Sequence, residues 1–163
     1  MCAWYKLDES SYGTVANSGA GGAGAGTVTG ATATQGRLLY NASNIDENGI
    51  DLEGTSSHIR VPYDSSLTFG DASSDSSFSL FAVIDMDDAT RFYFNKTLPT
   101  EFEFLLGTSG SDVLGISLYD TDGTNFIGRN KSSALSNGFS GSIGSTYDGG
   151  GAVGGIDVYE AGS

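Results

Sequence analysis

The side chains best suited to chemistry lie in one short loop, residues 120–125, which reads Asp-Thr-Asp-Gly-Thr-Asn. Asp120, Asp122 and Asn125 offer carboxylate and amide oxygens around a glycine at the bend. Calcium prefers such ligands, so the pattern resembles part of a Ca²⁺ loop, although it lacks the glutamate that closes an EF-hand. The same residues also match a hairpin turn, because Asp-Gly between two strands is a strong turn signal. Two further acidic loops compete as calcium sites: 46–48 and 85–88.

Nucleophilic and zinc catalysis lack their usual residues. His58 is the only histidine and Cys2 the only cysteine, and the chain has no Gly-x-Ser-x-Gly elbow. A zinc site built from the usual ligands is therefore not available, and an intramolecular disulfide is excluded. Because His58 alternates with Ile59 and Val61, we expect it to be an exposed residue of a strand. The sequence predicts a protein that is not an enzyme.

Sugar binding would depend on exposed aromatic side chains next to amide and carboxylate groups. The chain has eight tyrosines and one tryptophan, and most of them fall in predicted strands. In a strand an aromatic residue belongs to the core as readily as to a binding platform. Tyr12 and Tyr63 lie in predicted loops, so they are the candidate sugar-binding residues.

The charge of the chain excludes several partners. It has 20 acidic and 7 basic residues, a formal net charge of −13. Nucleic acid would be repelled, because phosphate binding needs clustered lysine and arginine, and anionic membranes are disfavoured for the same reason. No apolar run approaches the roughly 20 residues that span a bilayer, and the start does not resemble a signal peptide. We expect a chain that is kept in the cytoplasm, leaves by cell lysis or was excised from a longer protein.

The elements that must position these residues are predicted to be strands. Turn-forming residues interrupt the chain about every 8 to 12 residues, the spacing of an all-β sandwich or barrel. In one strand Phe102 and Phe104 share a face and Glu103 takes the other. Eleven strands are predicted: 3–7, 37–41, 50–53, 58–62, 78–85, 91–95, 102–106, 113–119, 125–129, 142–147 and 156–159.

We expect one domain over residues 1–163, an antiparallel β-sandwich in which short strands bury their apolar faces by packing sheet on sheet. The nearly continuous apolar run 78–84 predicts a strand that is buried on both faces or central in the sandwich. The Gly- and Ala-rich segment 17–34 has little to bury, so it is predicted to be a flexible surface loop or an extended edge.

Four blocks, in order, resemble the LamG-like jelly rolls of the concanavalin A-like lectin/glucanase superfamily. Block 3–19 is an aromatic strand that runs into a small-residue loop, and block 49–70 is a pair of strands around a glycine turn. Block 78–84 is similar to the central strand, with Ala82-Val83 where the family usually has a tryptophan. Block 145–162 resembles a Thr-Tyr-Asp-Gly hairpin, but ends Glu-Ala-Gly instead of Val-Asn-Gly. In the family more strands follow this hairpin, so the resemblance implies a jelly roll without its last strands.

Three explanations of the missing strands remain open: more chain, a reduced fold that closes on itself, or a strand from a neighbouring molecule. The resemblance also bears on catalysis, because hydrolases of the superfamily carry Glu-x-Asp-x-Glu on one strand face. Here Gly49 replaces the first glutamate, and Asp51 and Glu53 alone do not make the retaining pair.

The function we expect is a non-catalytic structural or adhesive module on an extracellular assembly, such as a phage virion or a polymer. In a virion this would be a capsid decoration, tail or fibre protein, and its partners would be other copies of itself or neighbouring structural proteins. The alternative is a Ca²⁺-assisted, lectin-like module that binds glycans, since LamG-like members often hold Ca²⁺ at the sandwich rim. Apart from calcium we expect no cofactor.

Overall fold

A computed structural model describes the chain over the following residues: 3, 5, 13–20, 23–29, 31–35, 48–52, 58–62, 64, 67–70, 74–89, 92–97, 102–120 and 125–162. The chain divides into two compact units, Met1–Thr68 and Phe69–Ser163. The single domain expected over 1–163 stays a prediction.

Strands dominate the described residues, and the all-β class is confirmed. In chain order they are β1 Thr14–Val15, β2 Gly26–Thr29, β3 Ala31–Gln35, β4 Asn48–Leu52, β5 His58–Arg60, β6 Phe78–Asp85, β7 Phe92–Thr97, β8 Phe102–Thr108, β9 Val113–Tyr119, β10 Phe126–Ala134, β11 Ser140–Tyr147 and β12 Ile156–Gly162. One turn of 3-10 helix, Val153–Gly155, precedes β12. Over the described part of the chain, no helix is long and apolar enough to cross a membrane.

The first unit contains the antiparallel sheet β1-β2-β5 and the two-stranded ribbon β3-β4. In β5, His58 and Arg60 are exposed and Ile59 is half-buried, which confirms the predicted alternation. Gly26 pairs with the fully buried Val15, and a Cβ there would lie only 2.8 Å from the Val15 side chain. The segment 17–34, for which a loop or an extended edge was predicted, holds β2 and most of β3.

The second unit is a β-sandwich of two antiparallel sheets, β10-β9-β8-β7 and β12-β11-β6. Strand β11 lies in the middle of the three-stranded sheet and pairs with β6 on one side and β12 on the other. Both sheets contribute to one apolar core, in which fully buried Leu or Ile side chains stabilise the fold by about 1.5–3 kcal/mol each. Its buried members are Phe69, Met86, Ala89, Leu106, Leu114, Ile116, Leu118, Leu135, Phe139, Ile143, Tyr147 and Ile156.

Strands β10 and β12, each at the end of its sheet among the described strands, are bridged by polar side chains. Arg129 Nη1 donates to the Ile156 carbonyl at 2.6 Å and lies 3.2 Å from Asp157 Oδ1. Lys131 Nζ lies 3.8 Å from Glu160 Oε1. These partly exposed ion pairs contribute little stability, but they occupy the side of the sandwich between β10 and β12 with charged groups.

The prediction that the run 78–84 is buried on both faces is wrong, and among the described strands β6 lies at the end of its sheet rather than at its centre. The bounds of the run agree with β6, yet Phe81 is 62% exposed and Val83 is 43% exposed. Phe78, Leu80, Ala82 and Ile84 pack against the core, so only one face of β6 is covered. A continuous apolar run does not reveal which side of a strand has a partner, because that depends on the neighbouring strands.

Candidate functional site

The outward face of β11 carries only small side chains. Ile143 and Tyr147 of this strand are buried in the core. The side-chain period of two then places Ser142, Gly144 and Thr146 on the opposite face. The outward face of the three-stranded sheet is therefore recessed along β11. We call this recessed strip the floor; it presents hydroxyl groups and backbone atoms.

Two exposed aromatic residues stand on either side of this floor. Gly144 is the cross-strand partner of Phe81 on β6 and of Tyr159 on β12. Tyr159 is 51% exposed, so both rings project from the same face as neighbours of one glycine. Two strand spacings separate their backbones, about 9.6 Å. We call this feature the Phe81–Tyr159 groove.

The Phe81–Tyr159 groove is shallow, with a volume of about 430 Å³. Thr146 Oγ1 lies 3.4 Å from the Tyr159 hydroxyl, which links the floor to one wall. The groove is lined by Ser79, Leu80, Phe81, Ser142, Ile143, Gly144, Ser145, Thr146, Tyr159, Glu160 and Ala161. Apolar rings with a few placed hydroxyls are the usual make-up of a small-molecule site.

Glycine at position 144 is required by close backbone approach. A Cβ at Gly144 would lie 2.7 Å from the carbonyl oxygen of Leu80 in the paired strand β6. Any larger residue would push β6 and β11 apart. The same absence of a side chain keeps the floor open between Phe81 and Tyr159, so the packing of the sheet and the shape of the groove depend on one residue.

The sheet below the groove is held in place by a buried tyrosine. The Tyr147 hydroxyl donates a hydrogen bond to Asp75 Oδ2 and accepts one from the Gly151 N–H at 2.7 Å. Burial, and after it the hydrogen bond to Asp75, raises the pKa of Tyr147 above its ordinary value. The ring packs against Phe69 and Phe78, with centroids 6.0 and 5.8 Å apart. These contacts hold the end of β11 against the core.

A second anchor fixes the wall that carries Tyr159. Ser145 is 1% exposed, and its hydroxyl donates to the Asp157 carbonyl of β12 at 2.8 Å. This bond adds to the backbone ladder between β11 and β12, which runs in register from Gly141 to Tyr147. The two walls and the floor therefore belong to regular strands rather than to loops, which favours a preformed site.

The predicted calcium residues are brought together only in part. The Asn125 side-chain amide donates to Asp120 Oδ2 at 2.8 Å, and the Asn125 backbone N–H lies 3.3 Å from both carboxylate oxygens. The Asp120 N–H donates to the Asn125 carbonyl at 3.0 Å, as in a hairpin turn. Asp122 lies outside the described residues. In this arrangement the Asp120 carboxylate accepts hydrogen bonds from the N–H groups of Asn125. A calcium ion would have to displace these donors in order to bind the carboxylate.

Most of the other residues that the sequence singles out are not described by the structure. Tyr12 and Tyr63, the candidate sugar-binding residues, lie outside the described residues, as does Glu53. Asp51 lies in β4, where its cross-strand partner is Thr32. Within the described ranges, no group of three or more His, Cys, Asp or Glu side chains is placed to hold a metal ion.

Sequence reasoning missed Phe81 and Gly144 and gave Tyr159 no special role. A usable signal was present: residues 140–146 read Ser-Gly-Ser-Ile-Gly-Ser-Thr, with only Ile143 large and apolar. Because the outward side chains of such a strand are small, they leave the outward side chains of the strands paired with it exposed. Pairing β11 with β6 and β12 would therefore have predicted two exposed aromatic rings.

Comparisons with protein-family models, with curated proteins and with solved structures gave no match. The resemblance to LamG-like domains stays a prediction carried by the four sequence blocks.

Proposed function

We propose that this chain is a non-catalytic adhesive module and that the Phe81–Tyr159 groove is its binding surface. The observation that carries the proposal is the row Phe81–Gly144–Tyr159, in which two exposed rings flank a glycine on a regular sheet. Exposed aromatic side chains grouped in this way mark interaction sites more often than isolated ones do.

The placement of the rings supports binding rather than incidental exposure. Phe126 and Val153 are also exposed, at 63% and 52%, but neither lines the groove. Phe81 and Tyr159, in contrast, converge on one concave feature together with the hydroxyls of Ser142 and Thr146. A concave, mainly apolar surface with a few polar groups is the common form of a ligand site.

The wider setting we propose is an extracellular assembly such as a phage virion or a polymer, with the chain as a decoration, tail or fibre component. The net charge of −13 supports an exposed, soluble surface module rather than a nucleic-acid partner. We further propose that the sandwich is a LamG-like jelly roll. The four sequence blocks and the two packed antiparallel sheets of the second unit support this topology.

A Ca²⁺-assisted, lectin-like module is the second candidate. The observation in its favour is an aromatic pair beside the acidic turn: Tyr119 and Phe126 have ring centroids 5.5 Å apart and flank Asp120 and Asn125 in sequence. A calcium ion held by the turn next to an exposed ring would provide oxygen coordination and stacking for a sugar. This site would not involve the Phe81–Tyr159 groove.

The two candidates are separated by one adhesion experiment on the full chain. The wild type, Phe81→Ala, Tyr159→Ala and Phe126→Ala are tested on a glycan array and on immobilised copies of the chain, with calcium or with EDTA. The proposed groove predicts loss of adhesion in the first two variants, no change in Phe126→Ala and no effect of EDTA. Loss in Phe126→Ala together with EDTA sensitivity would support the lectin-like candidate instead.

A further inference from the structure

We infer that Asn137 is a site of spontaneous deamidation, at which the side-chain amide is lost through a cyclic succinimide and the residue becomes aspartate or isoaspartate. Asn137 lies in the turn between β10 and β11, which reads Ser-Asn-Gly-Phe over residues 136–139. The inference goes beyond the proposed adhesive function and does not depend on the Phe81–Tyr159 groove. It follows from the backbone, the exposure and the hydrogen bonds of the turn.

The reaction takes place between two neighbouring groups of the chain. The backbone nitrogen of Gly138 gives up its proton to solvent and attacks Cγ of Asn137, so that a new C–N bond closes the succinimide ring. The Cγ–Nδ2 bond breaks, and the amide group takes up a proton and leaves as ammonia. Water then adds to either carbonyl of the ring and opens it, which gives aspartate or isoaspartate. No oxidant or reductant takes part.

The turn leaves the attacking nitrogen accessible. The Phe139 N–H donates to the Ser136 carbonyl at 3.1 Å, which closes a β-turn with Asn137 and Gly138 at its tip. Gly138 is exposed, its φ is +78°, and a Cβ built on it would meet nothing within 4 Å. The Gly138 N–H has no hydrogen-bond partner among the residues that the structure describes. Neither a side chain nor a hydrogen bond therefore shields this nitrogen from base.

The side chain of Asn137 is held by its oxygen, while its amide nitrogen can leave. Asn137 is exposed, and its Oδ1 accepts a hydrogen bond from the N–H of the fully buried Ala89 at 3.0 Å. Negative charge develops on Oδ1 during the attack, and a fixed N–H donor stabilises such a charge, as in an oxyanion hole. Asn137 Nδ2 donates to none of the described residues, so no contact there opposes the departure of ammonia.

The chain contains a second Asn-Gly pair, which provides an internal comparison. Asn48 and Gly49 lie in β4, where the antiparallel ladder with β3 holds the backbone extended. Ring closure there requires this pairing to open first, and local opening costs free energy that the exposed turn at Asn137 does not have to supply. We therefore expect Asn137 to react faster than Asn48 by about tenfold or more, the factor that corresponds to breaking one or two backbone hydrogen bonds.

The two products affect the sandwich differently. Aspartate leaves the backbone unchanged and keeps an oxygen that can accept from Ala89. Isoaspartate routes the backbone through the former side chain, which adds a methylene to the turn just before Phe139. Phe139 is 5% exposed in the core, and its carbonyl accepts a hydrogen bond from the Met86 N–H at 3.0 Å. Isoaspartate should therefore destabilise the start of β11, whereas aspartate should mainly add a negative charge.

The test is incubation of the full chain in mildly alkaline buffer made with heavy-oxygen water, followed by peptide mapping with fragmentation that distinguishes isoaspartate from aspartate. A parallel sample in concentrated urea is incubated until both Asn-Gly pairs have reacted. In the folded chain we expect heavy oxygen to enter at Asn137 well before Asn48. In urea the two sites should react at similar rates, because the difference between them comes from the fold.

Two variants provide matched controls, with ammonia release as a second readout. Asn137→Gln should remove most of the early release, because glutamine would have to close a larger ring, whereas Asn48→Gln should change it little. The isoaspartate form, separated by ion exchange, should unfold at lower urea than Asn137→Asp. Modification at Asn48 as fast as at Asn137 in the folded chain would overturn the inference. An Asn137 that stays intact in the fold while both sites react in urea would overturn it as well.

Discussion

The ion pair between Lys96 and Glu103 is expected to be the most sensitive polar contact of the second unit. Lys96 Nζ lies 2.6 Å from Glu103 Oε2, and the two side chains are 13% and 7% exposed. The other carboxylate oxygen accepts a hydrogen bond from the Phe69 N–H at 2.9 Å. Glu103 therefore ties together β7, β8 and the segment that leads into β6.

The magnitude follows from burial. Lys96→Met leaves a buried carboxylate without this cation, and loss of one partner of a buried pair costs about 3–5 kcal/mol in the free energy of unfolding. Glu103→Gln should cost less, because its amide oxygen can still accept from Phe69 and Lys96 is the more exposed partner. The double variant removes both charges. Its loss in free energy of unfolding should therefore be smaller than the sum of the two single losses, by about 2 kcal/mol.

The assay is urea unfolding followed by circular dichroism. With a slope of about 2 kcal/mol per molar urea, the Lys96→Met loss lowers the midpoint by about 1.5–2.5 M. Lys131→Met is the matched control, because its partner Glu160 lies 3.8 Å away and both side chains are more exposed, at 31% and 22%. That change should cost less than about 1 kcal/mol. An equally small loss in Lys96→Met, or strict additivity in the double variant, would refute the reasoning.

Three further predictions concern the sheet and the turn. Tyr147→Phe should lower the free energy of unfolding by about 1–3 kcal/mol, because it leaves buried polar groups unpaired. Because the pKa of Tyr147 is raised in the fold, the stability of the wild type should also fall as the pH rises above about 10. Urea midpoints measured against pH should show this fall in the wild type and a smaller one in the variant. Gly144→Ala should cost about 1–3 kcal/mol because its Cβ meets a backbone carbonyl of β6, whereas Gly154→Ala, which meets nothing within 4 Å, should shift thermal unfolding very little. Asp120→Ala should cost about 1 kcal/mol by releasing Asn125; a melting temperature that rises with calcium in the wild type, and not in this variant, would favour the calcium candidate over the groove.

The sequence predicts strand positions in the second unit well, because local pattern decides them. The bounds of β6 and β9 agree with the predicted strands 78–85 and 113–119. The burial of Glu103 is a property that the local sequence pattern does not determine. Its predicted position on the face opposite Phe104 agrees with the structure, since Phe104 packs against the core, but Glu103 is nevertheless 6% exposed. Its burial depends on Lys96 in the paired strand β7 and on Phe69, which lies 34 residues away in sequence, and period-two reasoning contains no information about such partners.

The candidate site was missed for the same physical reason. Phe81 belongs to an apolar run, and Gly144 to a stretch of small residues, so neither is distinctive alone. The groove exists only because antiparallel pairing places Phe81, Gly144 and Tyr159 in one row across three strands. Strand order and register are non-local properties, and a shift of one residue in either ladder would move an aromatic ring to the core face.

The acidity of the chain and the exposure of its aromatic rings are best understood together. Exposed rings such as Phe81 and Tyr159 favour self-association, and their removal from water would stabilise almost any dimer that covers them. A net charge of −13 opposes the approach of a second copy over about 8–10 Å at physiological ionic strength. An uncharged ligand meets no such barrier. The combination keeps the two aromatic walls of the groove available in solution.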